Sequence, residues 1–253
     1  MSVPANSDRL TRWFRFYLRG YFRKQFDAVL CSGSPIVDDG EPLLVYTNHP
    51  SWWDPIHFLL ICSAEFPERR IFGPMDAEAL EQYGFFKKIG VFGVDRSAAG
   101  ARAFVRTGSA ILNEPRASLW ITGEGAFTDP RKRPVEIMAG VAHLAKRMTR
   151  GRIVPLAVEY PFWNERSPLA LSRIGEPIVI GEQAVDDWQA TLESRLTETM
   201  DALAADVATR DASRFRPVLE GRRSVGFFYD AWRRLRAALG GRRFRAGHEE
   251  RPT

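Results

Sequence analysis

Apolar and polar positions alternate along the chain in blocks of two kinds. Leu43-Leu44-Val45-Tyr46 is a short apolar run closed by polar residues, the pattern of a buried strand. Similar runs predict strands at 69–72, 91–94, 118–121, 153–158 and 178–180. Helical spacing fills the intervals. Pro50, suited to a first helical position, is expected to open a helix that runs on through 56–61. Further helices are expected at 77–88, stopped by Gly90, and at 98–112, 135–147 and 186–209. The last carries Trp188, Leu192, Leu196, Met200, Leu203 and Val207 on one face. Pro155 inside the 153–158 run predicts an edge, a bulge or a site-lining strand, because proline cannot donate to a ladder. Strands alternating with helices imply an α/β fold with a mainly parallel central sheet flanked by helices.

Two segments outside this alternation are amphipathic and basic. Between 9 and 26, Leu10, Trp13, Phe14, Tyr17, Leu18, Tyr21 and Phe22 recur at helical spacing. Arg9, Arg12, Arg15, Arg19, Arg23 and Lys24 fill much of the remainder. A basic helix with an aromatic side fits the membrane interface, and it equally fits a core-packing helix with a solvated basic face. The stretch 225–239 repeats the pattern with Phe227, Phe228, Trp232, Leu235 and Leu239 against Arg233, Arg234 and Arg236; 240–253 has no periodicity and reads as disordered. The expected organisation is a membrane-associating helical segment at 1–40, an α/β domain at 41–210, and a basic helix with a tail at 211–253.

Bulk properties narrow the classes. At 253 residues and 45% hydrophobic content, the chain is long enough for one α/β domain with a sizeable core. A net charge of +5 points to an anionic partner, either a membrane or a nucleic acid. No nucleic-acid module is recognisable, so membrane is preferred. No run approaches the ~20 apolar residues of a spanning helix, and no secretory signal follows the basic start. Cys31 and Cys62 form no metal or redox spacing, which makes a reduced compartment the simpler expectation. No Gly-x-Ser-x-Gly elbow, P-loop or dinucleotide fingerprint occurs, and neither a metal nor a cofactor is expected.

The candidate chemistry begins where the 43–46 strand ends, at Thr47-Asn48-His49-Pro50-Ser51-Trp52-Trp53-Asp54-Pro55. Polar residues at the C-terminal end of such a strand sit where open α/β sheets bind ligands. At about 100° per residue, a regular helix would hold His49 and Asp54 roughly 140° apart. With Pro50 opening the helix, His49 lies in the cap region and is free to fold back onto Asp54. That pairing makes a general base, because the carboxylate orients the imidazole and stabilises its protonated form. A helix-capping pair without chemistry is the plainer reading of two such residues alone. His57, a turn beyond Asp54, reads as structural. Trp52 and Trp53, large apolar bodies beside the pair, suit core or membrane-facing packing as well as the lining of an apolar groove.

Asn48-His49-x-Ser51-x-x-Asp54 resembles the first signature block of the glycerolipid and lysophospholipid acyltransferases, a His and an Asp separated by four residues. Gly90-Val91-Phe92-Gly93-Val94-Asp95-Arg96 resembles the second block, Gly123-Glu124-Gly125 the Glu-Gly centre of the third, and Ile153-Val154-Pro155-Leu156 the fourth. The blocks occur in the family's order across 43–160.

The resemblance implies fatty acyl transfer from an acyl thioester, acyl-CoA or acyl carrier protein, to the hydroxyl of a lysophospholipid or related lipid. His49 would act as base and Asp54 would orient it. It also implies substrate contacts from Ser51, Asp95, Arg96, Glu124 and Gly125, with Arg96 gripping an anionic head group. Oxyanion donors are expected among backbone amides near 123–125 or at the Pro50 helix start. The third block departs from its usual Phe-Pro-Glu-Gly-Thr-Arg-Ser form, with Gly123 for Pro, Ala126 for Thr and Phe127 for the Arg. Arg131, Lys132 and Arg133 are candidate substitutes for that Arg, and a lipid acceptor without the phosphate stays open. The implied location is peripheral, on the cytoplasmic face of the inner or plasma membrane. The alternative is a catalytically inactive, lipid-binding peripheral protein of the same fold.

Overall fold

The computed structural model describes residues 3–33, 40–182 and 184–221, so the segments at 225–239 and 240–253 lie outside the described residues. Its strands are β1 (Ala28–Gly33), β2 (Leu43–Thr47), β3 (Arg70–Asp76), β4 (Val91–Val94), β5 (Ala117–Thr122), β6 (Arg152–Glu159), β7 (Leu169–Ile174), β8 (Ile178–Val179) and β9 (Arg216–Glu220). Its α-helices are α1 (Asp8–Gln25), α2 (Asp54–Glu65), α3 (Ala77–Gln82), α4 (Ala98–Leu112), α5 (Ala139–Ala145) and α6 (Trp188–Thr209).

All nine strands join one sheet in the order β4-β3-β5-β2-β6-β7-β1-β9, with β8 also on β6. Strands β4, β3, β5, β2 and β6 run parallel. β7 is antiparallel to β6 and parallel to β1, and β9 closes the far edge antiparallel to β1. The α/β architecture with a mainly parallel sheet is therefore as expected, and the sheet reaches past 41–210 in both directions through β1 and β9.

Alternation along the strands divides the core into two faces. Leu44 and Tyr46 of β2, Leu119 and Ile121 of β5, and Ile153 and Ala157 of β6 pack with α4, α5 and α6. Leu43 and Val45, Trp120, and Val154, Leu156 and Val158 pack with α1 and α2 on the opposite face.

Helix α1 crosses this second face. Ser7 caps it by accepting from Leu10 N, while Arg23 and Lys24 complement the dipole at its end. The chain ahead of it is stitched to the β3–β4 edge: Ser7 N donates to Lys88 O, Gly90 N to Ala5 O, and Asn6 Nδ2 to Ile71 O at 2.7 Å. Its far end feeds β1. Eighteen residues make about 27 Å of helix, and five strand spacings from β3 to β1 make about 24 Å, so length and span agree. Phe14, Leu18 and Phe22 are buried, whereas Trp13, Phe16 and Tyr17 are exposed. One stripe of the helix thus packs on the sheet, as the core-packing reading expects, and an aromatic row faces out. Among the described residues, no helix is long and apolar enough to cross a membrane.

Several expectations need correction. Pro50 does not open a helix. Asp54 does, with Pro55 in the first turn, where a missing N–H costs nothing, and 51–54 form a turn closed by Asp54 N donating to Ser51 O. The 77–88 helix ends at Gln82, and after Gly84 a short 3₁₀ turn, Phe86–Lys88, follows. The 135–147 helix begins only at Ala139, because Ile137 N and Met138 N are spent on Glu193 and on Gly123 O. Pro155 sits in an interior strand. Its carbonyl accepts from Gly175 N, so its nitrogen faces the β7–β8 junction, where no ladder donor is required.

Candidate active site

Asn48 explains how the chain leaves the sheet. β2 ends at Thr47, opposite Leu156, while β6 runs on. The next residue of β6 that faces β2 is Val158, and without a partner strand its N–H and C=O would be orphaned. The buried amide of Asn48 takes that place, with Oδ1 accepting from Val158 N at 2.8 Å and Nδ2 donating to Val158 O at 3.0 Å. His49 follows at the mouth of the sheet.

His49 Nδ1 lies 2.6 Å from Asp54 Oδ2. The Asp54 side chain is fully buried, and the same oxygen accepts from Ser51 N at 3.1 Å. An ionised carboxylate only accepts, so Nδ1 carries the proton and donates it. Nε2 is then the free basic nitrogen of an imidazole whose side chain is 16% exposed. The expected pairing holds, although a turn rather than a helix cap creates it.

The loop after β5 grips the His49 backbone from both sides. Glu124 Oε2 accepts from His49 N at 2.6 Å, and Thr128 N donates to His49 O at 3.0 Å. Burial raises the Glu124 carboxyl above its ordinary range, opposed by the hydrogen bond and by the charges of His49 and Lys132. Gly125 turns this loop at a φ of 70°, and a Cβ there would lie 2.4 Å from Met138 Sδ. The Phe127 ring stands over His49 with centroids 4.5 Å apart, and Trp52, which packs edge-on against Trp53, is exposed.

Two partners of the pair were not visible in the sequence. Tyr160, just past β6, donates its hydroxyl to Asp54 Oδ1 at 2.7 Å. His57 lies behind it, with Nδ1 3.4 Å from the same hydroxyl. Complete burial lowers His57 to about 3, so it is neutral, in line with its structural assignment. A Tyr 106 residues from its partner Asp has no sequence signal; it is found only through the β2–β6 register.

The remaining candidates are arranged differently. Ser51 contributes to the turn, its Oγ accepting from Trp53 N. Asp95 and Arg96 follow β4, three strands from β2, which is about 14 Å at the usual spacing. Arg96 is 89% exposed and pairs with Asp76 at 3.3 Å, with no bond to His49, Asp54 or Glu124. Arg131 is forked onto Asp129. Arg133 is held by Asp201 and the Pro130 carbonyl, and Lys132 lies 3.8 Å from Glu136. Of the candidate oxyanion donors, Gly123 N is spent on Thr47 O and Gly125 N on Thr122 O. Among the described residues, the N–H groups of Trp52, Glu124, Ala126 and Phe127 remain unpaired around His49.

Comparison with known proteins places this geometry in a family. The acyltransferase family model matches residues 28–159, from β1 to the end of β6. The solved structure of the 1-acyl-sn-glycerophosphate (LPA) acyltransferase PlsC from Thermotoga maritima superposes with a TM-score of 0.54 at 15% identity, covering 77% of this chain and 80% of that one. No curated protein matches the sequence. With more than half of its length matched by the family model, this chain belongs to the acyltransferase family.

Proposed function

We propose that this acyltransferase moves a fatty acyl group from an acyl thioester, acyl-CoA or acyl carrier protein, to the hydroxyl of a lysophospholipid or related lipid alcohol. His49 Nε2 takes the hydroxyl proton as the lipid oxygen bonds to the thioester carbonyl carbon. The tetrahedral intermediate collapses with cleavage of the C–S bond, and the His49 proton passes to the departing thiolate to give a free thiol. Asp54 holds the imidazole and stabilises its protonated form. The unpaired N–H groups of Trp52, Ala126 and Phe127 are the proposed oxyanion donors, a role typically worth about 10²–10³ in rate per donor.

The observation that carries the reading is the 2.6 Å hydrogen bond that leaves His49 Nε2 free at the mouth of a buried-carboxylate site. Glu124 and Gly125 shape the wall against which the acceptor lies; Glu124 Oε1, with no partner among the described residues, is available to a lipid hydroxyl. Asp95 and Arg96 form a more distant contact for an anionic head group. The protein would work peripherally at the cytoplasmic face of the inner or plasma membrane, with the exposed aromatic row of α1 against the lipid.

The test is thiol release from acyl-CoA and from acyl carrier protein, with and without lysolipid. His49→Ala and Asp54→Ala are each expected to reduce transfer by about 10²–10⁴. His49→Ala should melt like the parent protein, whereas Asp54→Ala, which strands the buried donors Ser51 N and Tyr160, should melt lower yet remain folded. Undiminished transfer in both variants refutes the assignment.

A further inference from the structure

Asp54 has two oxygens, and the proposed chemistry uses one. The second, Oδ1, is just as buried and receives the hydroxyl of Tyr160 at 2.7 Å. Tyr160 lies one residue beyond the stretch that the family model matches. Its side chain enters the α1–α2 face of the sheet, as do those of Val154, Leu156 and Val158 at alternate positions before it.

The direction of each hydrogen bond follows from its surroundings. Burial, the Asp54 charge and the hydrogen bond to Asp54 together hold the Tyr160 phenol well above its ordinary range, so it remains a donor. Its single proton is given to Asp54, which leaves the phenol oxygen as an acceptor. Neutral His57 presents Nδ1 to that oxygen at 3.4 Å, while its Nε2 has no partner. An orphaned N–H is rarer than an unused acceptor, which places the His57 proton on Nδ1. The result is one directional chain: His57 donates to Tyr160, Tyr160 to Asp54, and His49 to the other oxygen of Asp54.

The other groups around the chain are Ser51 N on Asp54, Glu124 with Lys132 near it on the far side of His49, and the uncharged rings of Phe22 in α1 and Phe26 just after it. None of these offers Asp54 Oδ1 a second donor. The charge on Asp54 is therefore shared between Tyr160 and His49, and the strength of one hold sets that of the other.

Resting on the reading of His49 as the general base, we infer that Tyr160 is a positioning residue, backed by His57, that fixes the Asp54 carboxylate and sets the pH at which His49 becomes a free base. Removing the hydroxyl concentrates the Asp54 charge on the oxygen facing His49. That favours the protonated imidazole and frees the carboxylate to rotate.

The test is Tyr160→Phe, read by NMR titration of ¹⁵N-histidine-labelled protein. The chain has four histidines, and His49→Ala identifies the relevant signal. The His49 midpoint is expected to rise by about 0.5–1 pH unit. The acid limb of kcat/KM should move with it, and kcat should fall about tenfold near neutral pH with KM for the acyl donor little changed. Placing 3-fluorotyrosine at position 160, a stronger donor of nearly the same shape, should move the midpoint the other way. It supplies the answer if the Phe variant does not fold. An unchanged His49 midpoint in whichever variants fold overturns the inference, even if His49→Ala abolishes transfer. If the parent protein transfers no acyl group from any thioester, it is the function that fails, and the titration still decides the role of Tyr160.

Discussion

Glu124 Oε2 accepts the backbone N–H of His49 at 2.6 Å, joining residues 75 apart in sequence. The contact explains why a carboxylate stands in the third block. Besides any contact with substrate, it holds the His49 backbone where β2 ends. Glu124→Gln keeps an acceptor of the same shape but loses the charge, and is expected to lower kcat about tenfold; Glu124→Ala should cost about a hundredfold. KM for the acyl donor should stay within about twofold in both. Because burial raises the Glu124 carboxyl, it takes up a proton at higher pH than an exposed Glu does. Part of the acid inhibition of the parent protein should accordingly be missing from Glu124→Gln. A pure KM effect, or identical acid limbs, would contradict this role.

His57 makes a prediction about stability. Its folded-state value is depressed from 6.5 to about 3, so the unfolded chain binds a proton between these values and the folded protein does not. Stability is then complete above about pH 6.5 and is lost as pH falls toward 3. At pH 5 the loss is about 2 kcal/mol. His57→Gln, which does not titrate, should show a smaller drop in unfolding free energy between pH 7 and pH 5 by that amount. Urea melts at the two pH values measure it, and parallel changes in parent and variant count against it.

What the sequence revealed, and what it hid, follows from how local each signal is. Leu43 to Tyr46 and the Ala98–Leu112 helix carry their pattern within one element and were legible. The His49–Asp54 pair was legible because its partners are five residues apart. β1 was hidden behind the stronger helical periodicity of α1. β9 carries Arg216, Pro217 and Glu220 within five residues and is a strand by virtue of its pairing with β1. Asn48 and Glu124 were visible as motif letters, yet their bonds to Val158 and His49 depend on strand order. Tyr160 was invisible for the same reason.

The aromatic row of α1 bears on membrane association. Trp13, Tyr17 and Tyr21 stack along the outer side of the helix at 6.0 and 6.3 Å, and Tyr21 continues to Trp53 at 5.6 Å, one residue from Asp54. An aromatic path therefore runs from the exposed helix to the site. Replacing Trp13, Phe16 and Tyr17 together by Ala should weaken binding to anionic vesicles at least about tenfold. The melting temperature should change little, since these side chains are 54–78% exposed. Transfer to a water-soluble short-chain acceptor should persist while transfer to vesicle-embedded lysolipid falls. Unaltered vesicle sedimentation would remove α1 from the membrane contact.

Asn48 tests how the end of β2 supports His49 beside it. Its side chain satisfies both backbone groups of Val158 in a fully buried setting. Asn48→Ala leaves an N–H and a C=O of β6 without partners, and is expected to cost about 2–4 kcal/mol. Asn48→Asp keeps the acceptor for Val158 N but sets a carboxylate oxygen against Val158 O, so it should destabilise at least as much. His49 is the next residue, so loss of the clamp should also lower kcat at temperatures where the variant remains folded. Chemical denaturation and kinetics on the same preparations separate the two effects. A stable Asn48→Ala variant with lowered kcat would assign Asn48 to the site alone, and a destabilised one with parental kcat would assign it to the sheet alone. Because one amide both closes the strand and precedes His49, both quantities should fall together.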